Sequence, residues 1–188
     1  MVQTSSKPVT LEEFLKLPET KPASEFIDGK IIQKPMPQGQ HSRIQQKLTG
    51  CINAVTEDSR IALALPELRC TFSGRSIVPD IAVFTWERIP LTPDGAIANQ
   101  FNAHPDWAIE ILSPDQSVTR VTSNILYCLN QGSQMGWLID PNEKLVLVYT
   151  SNQQPSFFEE PSDLLPVPNF AAALDLTLEQ LFGWLQLR

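Results

Sequence analysis

Apolar and polar positions along this chain follow two different periods. From Gln38 to about Glu57, Ile44, Leu48, Cys51, Ile52 and Val55 fall at offsets 0, 4, 7, 8 and 11, the spacing of one helical face. Val118, Val121, Ile125, Cys128 and Leu129 form a second such face, ending near Gly132 as a C-terminal glycine would end it. Thr10-Leu11-Glu12-Glu13 is a capping box that opens a short helix to about Leu17, and Thr177-Leu178-Glu179-Gln180 is a weaker one opening a terminal helix to about Leu187. Short apolar runs predict strands at Phe26 to Lys34, with a turn at Asp28-Gly29, and at about 61–65, 67–72 and 78–84. Further strands are predicted at Trp107–Leu112 and as a hairpin, Met135–Ile139 with Leu145–Tyr149. Thr85 to Pro105 is rich in loop formers and predicts a surface excursion with short helical turns. The order of helix, strand, helix, several strands, helix, hairpin and helix predicts an α/β fold, a sheet layered by helices, over a bundle or a sandwich.

Composition narrows the class. At 188 residues the chain matches one domain, at about 150 residues each, so residues 1–188 are expected to form a single unit. A net charge of −7 argues against broad electrostatic coating of nucleic acid or anionic membrane, yet leaves room for a small basic cleft or a site made of carboxylates. Cys51, Cys70 and Cys128 are odd in number and widely spaced, which predicts reduced thiols in a cytoplasmic protein. The two histidines, His41 and His104, lie far apart, so no HExxH helix exists. No phosphate-binding glycine loop is present. Met1 to Ser6 lacks an apolar segment and no run approaches membrane-spanning length, so neither a signal peptide nor a membrane partner is expected.

Two strands carry one acid each. Trp107-Ala108-Ile109-Glu110-Ile111-Leu112 has five apolar residues around Glu110, and Pro79-Asp80-Ile81-Ala82-Val83-Phe84 opens with Asp80. Taken alone, Glu110 reads as a solvated or Arg-paired residue or as a functional one, and Asp80 as a turn residue. If the strands are neighbours, the two side chains converge at one edge and repel. A divalent cation removes that conflict, and Mg²⁺ prefers oxygen ligands with retained waters.

These residues also carry a resemblance. Pro79-Asp80, Glu110-Ile111-Leu112-Ser113-Pro114 and Trp137-Leu138-Ile139-Asp140-Pro141 resemble the Uma-two family of restriction-endonuclease-like proteins, as do Glu25-Phe26-Ile27-Asp28-Gly29-Lys30 and the helix opening at His41. The match runs from about Thr10 to Trp184. The family is similar to the PD-(D/E)XK nucleases. That resemblance implies a restriction-endonuclease-like fold, a mixed central β-sheet flanked by helices, and Mg²⁺-dependent hydrolysis of DNA, with Mn²⁺ as a substitute. It implies Asp80 and Glu110 as metal ligands and Glu25 as a further acid near the metal. The superfamily's lysine, two residues after the Glu, is Leu112 here. The family's alternative lysine, four residues before a tyrosine matching Tyr127, is Ser123.

Two readings follow. In one, the protein is a Mg²⁺-dependent DNA endonuclease in which either Arg120, at i−3 from Ser123 and hence on the same helix face, supplies the positive charge, or nothing replaces the lysine and catalysis is weakened or lost. In the other, a non-catalytic DNA-binding or protein-interaction module keeps the fold. His41 continues the buried face of its helix, as a core-edge histidine or a site residue, and Tyr127 lines the same cleft or packs. A two-carboxylate sugar hydrolase has no aromatic platform to support it. Cutting both strands of a duplex takes two sites, which favours a homodimer.

Overall fold

A computed structural model describes residues 9–114 and 116–187; the polar opening Met1–Ser6 lies outside these. The N-terminal capping box forms, with Thr10 and Glu13 satisfying each other's backbone amides, and starts α1 (Leu11–Leu15). The predicted strand pair is a hairpin, β1 (Ser24–Ile27) and β2 (Lys30–Gln33). Asp28 and Gly29 both take positive φ, 50° and 77°, the two-residue turn that matches strand twist. The first amphipathic face becomes α2 (Gly39–Thr56), with Ile44, Leu48 and Ile52 fully buried.

Between α2 and the next helix the strands divide between two sheets. β4 (Cys70–Phe72) and β5 (Arg75–Ile77) join the hairpin in a four-stranded antiparallel sheet, ordered β2-β1-β5-β4. β3 (Ala62–Pro66), β6 (Ile81–Thr85), β7 (Trp107–Ile111), β8 (Met135–Asp140), β9 (Leu145–Thr150) and β10 (Ser156–Phe158) form the other, ordered β10-β9-β8-β7-β6-β3. This larger sheet is mixed. β7 and β8 run parallel, joined through α3 (Val118–Asn130), while its other pairs are antiparallel. The mixed sheet with helices meets the expected α/β class. The single run expected at 78–84 is a correction: Val78-Pro79-Asp80 is the bend by which the chain leaves the small sheet for the large one. The terminal helix α4 (Leu178–Gly183) is shorter than expected and again opens with a formed capping box.

Alternation places the chemistry. Ile81, Val83, Trp107, Ile109 and Ile111 share one core with α2 and α4. Ala82, Phe84 and Ala108 face the opposite side, toward the small sheet. Side chains two apart on a strand share a face, so Glu110 is on the side of Ala108, toward the small sheet and α3. α3 approaches closely: a Cβ added to Gly136 would sit 2.2 Å from Cγ2 of Ile125. Among the described residues no helix is long and apolar enough to cross a membrane.

Candidate active site

The bend at Val78–Asp80 is where the two sheets meet, and polar side chains converge there. Asp80 and Glu110 are each only 2% exposed. The β6–β7 register pairs Ile81 with Ile109, which sets the Asp80 and Glu110 positions at the same edge. Asp80 Oδ2 accepts the Ile111 amide at 2.7 Å and lies 3.1 Å from His41 Nε2 of α2. Its carbonyl accepts from the Gln45 side chain at 2.8 Å.

A lysine joins these acids, from a place the sequence motifs do not indicate. Lys34 follows β2, and its amide still pairs with the Ala23 carbonyl at 2.9 Å. Its Nζ donates to Asp80 Oδ1 at 2.7 Å, to Glu110 Oε2 at 3.2 Å and to the Val78 carbonyl at 2.7 Å. The hairpin register was the signal that could have found it. A turn at Asp28-Gly29 pairs Glu25 with Ile32, so both leave on one face, and Lys34, two residues on, follows Ile32. Glu25 is also buried: Oε1 accepts the Val78 amide at 2.8 Å, and Oε2 accepts from Asn124 of α3 at 3.2 Å.

The charges do not balance locally. Burial opposes the Lys34 charge, but Asp80, Glu110 and Glu25 outweigh it and hold the ammonium above its usual range. Burial also opposes the Asp80 charge, yet Lys34 and His41 keep its carboxyl below the usual range. Glu110 moves the other way: burial raises it well above its ordinary value, Lys34 offsets only part of this, and Asp80 and Glu25 add to it. One lysine thus serves an acid-rich pocket.

Two cavities reach this cluster. One of about 400 Å³ opens beside Asp80, bordered by His41, Met36 and Ser113. The other, of about 340 Å³, opens beside Glu110 and is bordered by Glu25, Arg120 and Asn124. Lys34, Pro35 and Gln116 border both. Arg120 is exposed at the rim of the second cavity. Ser123 is exposed on α3 and borders neither cavity. Tyr127 is directed elsewhere: its hydroxyl donates to the carbonyls of Ser73 and Phe72 at 2.7 and 3.0 Å, and its ring stacks on Phe72. The structure therefore brings together Asp80, Glu110, Glu25 and His41, sets Arg120 at the edge, and leaves Ser123 and Tyr127 apart.

The donor set fits a hard cation that takes few protein ligands and fills its remaining positions with water. Among the described residues no three His, Cys, Asp or Glu side chains form a metal cage. Mg²⁺ needs only one or two carboxylates besides water, and Lys34 Nζ marks a point close to an oxygen of each acid. The Asn124 Oδ1 atom beside them is buried without a partner, an acceptor available to a cation's water.

A mixed sheet whose buried acids meet a lysine at a cleft is the arrangement of a restriction-endonuclease-like protein. The family described as "Putative restriction endonuclease", Uma2, matches residues 11–179, and the chain belongs to that family. It is 61% identical to a crystallised protein from Anabaena variabilis described as a "putative nuclease belonging to DUF820", with a TM-score of 0.94 over 95% of this chain and 100% of that one. No curated protein matches the chain.

Proposed function

We propose that this protein is a divalent-metal-dependent endonuclease that hydrolyses DNA phosphodiester bonds, with Asp80 and Glu110 holding the metal and Lys34 as the lysine of the site. The observation that carries this reading is the Lys34 ammonium between the two carboxylates, at 2.7 and 3.2 Å. Leu112 and Ser123 in place of lysine, together with the net charge of −7, favour a non-catalytic module; Lys34 beside the two acids answers the first of these and supports the catalytic reading.

A bound Mg²⁺ or Mn²⁺ would polarise the scissile phosphate and lower the pKa of an attacking water. The chain's own residues do the rest. The Ile111 amide and His41 orient Asp80 by gripping Oδ2, which leaves Oδ1 to Lys34. Lys34, being charged, serves as a donor to a phosphate oxygen, neutralising charge that develops as water adds and the P–O bond to the leaving group breaks. Glu25 fixes Val78, and with it the bend that carries Asp80. Arg120 at the rim would bind a flanking phosphate. Two copies, as a homodimer, would supply the two sites that a duplex cut takes.

The test is cleavage of plasmid DNA with Mg²⁺ or Mn²⁺ by the full chain and by Asp80→Ala, Glu110→Ala and Lys34→Met. The expected loss is about 100-fold or more for each, the scale of a lost electrostatic stabiliser. Equal activity in the wild type and all three variants overturns the assignment.

A further inference from the structure

We propose that the Lys34 ammonium occupies the divalent cation's own seat, so that a metal ion enters only by displacing it and thereby releases the lysine toward the phosphate. This rests on the metal-dependent nuclease reading above.

Three observations converge. First, Nζ contacts one oxygen from each acid, Asp80 Oδ1 and Glu110 Oε2, which is what a cation shared by the two carboxylates must do. A second cation within a few ångströms would be repelled more strongly than it is in bulk water. Second, Asp80 Oδ2 already accepts the Ile111 amide and lies against His41 Nε2, which takes up both of its lone pairs. A metal ligated by Asp80 must therefore take Oδ1, the atom Lys34 now holds. Third, the displaced side chain has somewhere to go. Lys34 borders the cavities on both sides of the acid pair, and its long flexible stem lets Nζ leave the carboxylates while the β2 backbone stays paired. Lys34 is thus the counter-ion that the chain itself supplies to the two acids, and metal entry is an exchange of cations.

Exchange has a thermodynamic signature. A ligand that must first evict a competitor binds with an affinity reduced by the fraction of sites that are open. Calorimetric titration of Mn²⁺ into the wild type and Lys34→Met, with no DNA present, is expected to show at least tenfold tighter binding to the variant. In the wild type, the Lys34 side-chain signals in an NMR spectrum of selectively labelled lysine are expected to shift to those of a solvated ammonium as Mg²⁺ saturates. If Lys34→Met fails to fold, these wild-type signals decide alone. Equal or weaker Mn²⁺ binding by a folded Lys34→Met, or Lys34 signals unmoved at saturating Mg²⁺, overturns the exchange and leaves the nuclease reading intact. Absence of binding to both proteins overturns the metal-dependent reading itself, and the exchange with it.

Discussion

Glu25 Oε1 accepts the Val78 amide at 2.8 Å, and this bond fastens the N-terminal hairpin to the bend between the two sheets. The same residue, Val78, gives its carbonyl to Lys34, so two side chains of the hairpin grip one peptide segment from both sides. Replacing Glu25 by Ala leaves the buried Val78 amide unpaired, at a cost of about 1–3 kcal/mol. Glu25→Gln keeps an acceptor and is expected to lose less. Urea denaturation of the two variants measures the difference.

Asp80 and Glu110 are expected to respond in opposite directions when neutralised in the metal-free protein. The Asp80 carboxyl is held low by its partners, so its charge stabilises the fold above the ordinary Asp value and that stability is lost as pH falls. Breaking its buried pair with Asp80→Asn should cost about 3 kcal/mol at pH 7.

The Glu110 carboxyl is raised, so the folded state holds its proton to higher pH than the unfolded state does. Stability therefore falls as pH rises above the ordinary Glu value of about 4.3. Glu110→Gln removes that penalty. In EDTA its unfolding midpoint is expected to move from near the wild-type value at pH 4 to above it at pH 7. A gap that closes as pH rises would contradict this.

The three thiols should separate by reactivity. Burial pushes Cys70 up to about 12 and raises Cys128 well above its usual range, whereas Cys51 is only half-buried. At pH 8 a disulfide reagent is expected to label Cys51 first, since only thiolates react. Mass spectrometry of the folded protein should find the other two unmodified until denaturant is added.

The contact between α3 and β8 leaves no room for a methyl group. Gly136→Ala forces that methyl against Ile125 and should cost about 1–3 kcal/mol as overpacking does. Combined with Ile125→Ala, which opens the space, the loss should be smaller than the sum of the two single losses. Thermal unfolding of the three variants tests this.

These packing relationships show what the chain discloses in one dimension. The spacing of Ile44, Leu48 and Ile52 locates α2 and its buried face, because a helix is decided within a dozen residues. The Asp28-Gly29 turn and both capping boxes form as local chemistry dictates. The division of strands between two sheets is a matter of pairing across long separations, and three-residue strands such as β4, β5 and β10 show little periodicity. Asp80 and Glu110 stand out because acids interrupt apolar runs. Lys34 looks like any surface lysine before a proline, and only the hairpin register carried on from Glu25 places it on the inward face. Ser123 has the expected sequence position but faces solvent, since α3 turns Asn124 inward instead.

The separation of these partners along the chain also bears on when the site comes into being. Lys34 and Glu25 leave the ribosome early, while Asp80 and Glu110 lie 46 and 76 residues beyond Lys34. A nascent chain that ends before β7 holds the lysine and lacks one acid. Contacts this distant in sequence form late, because chain closure must precede any gain from them. The acid–lysine cluster is consequently completed only after the chain has passed β7, and products of synthesis interrupted before Glu110 are born without it.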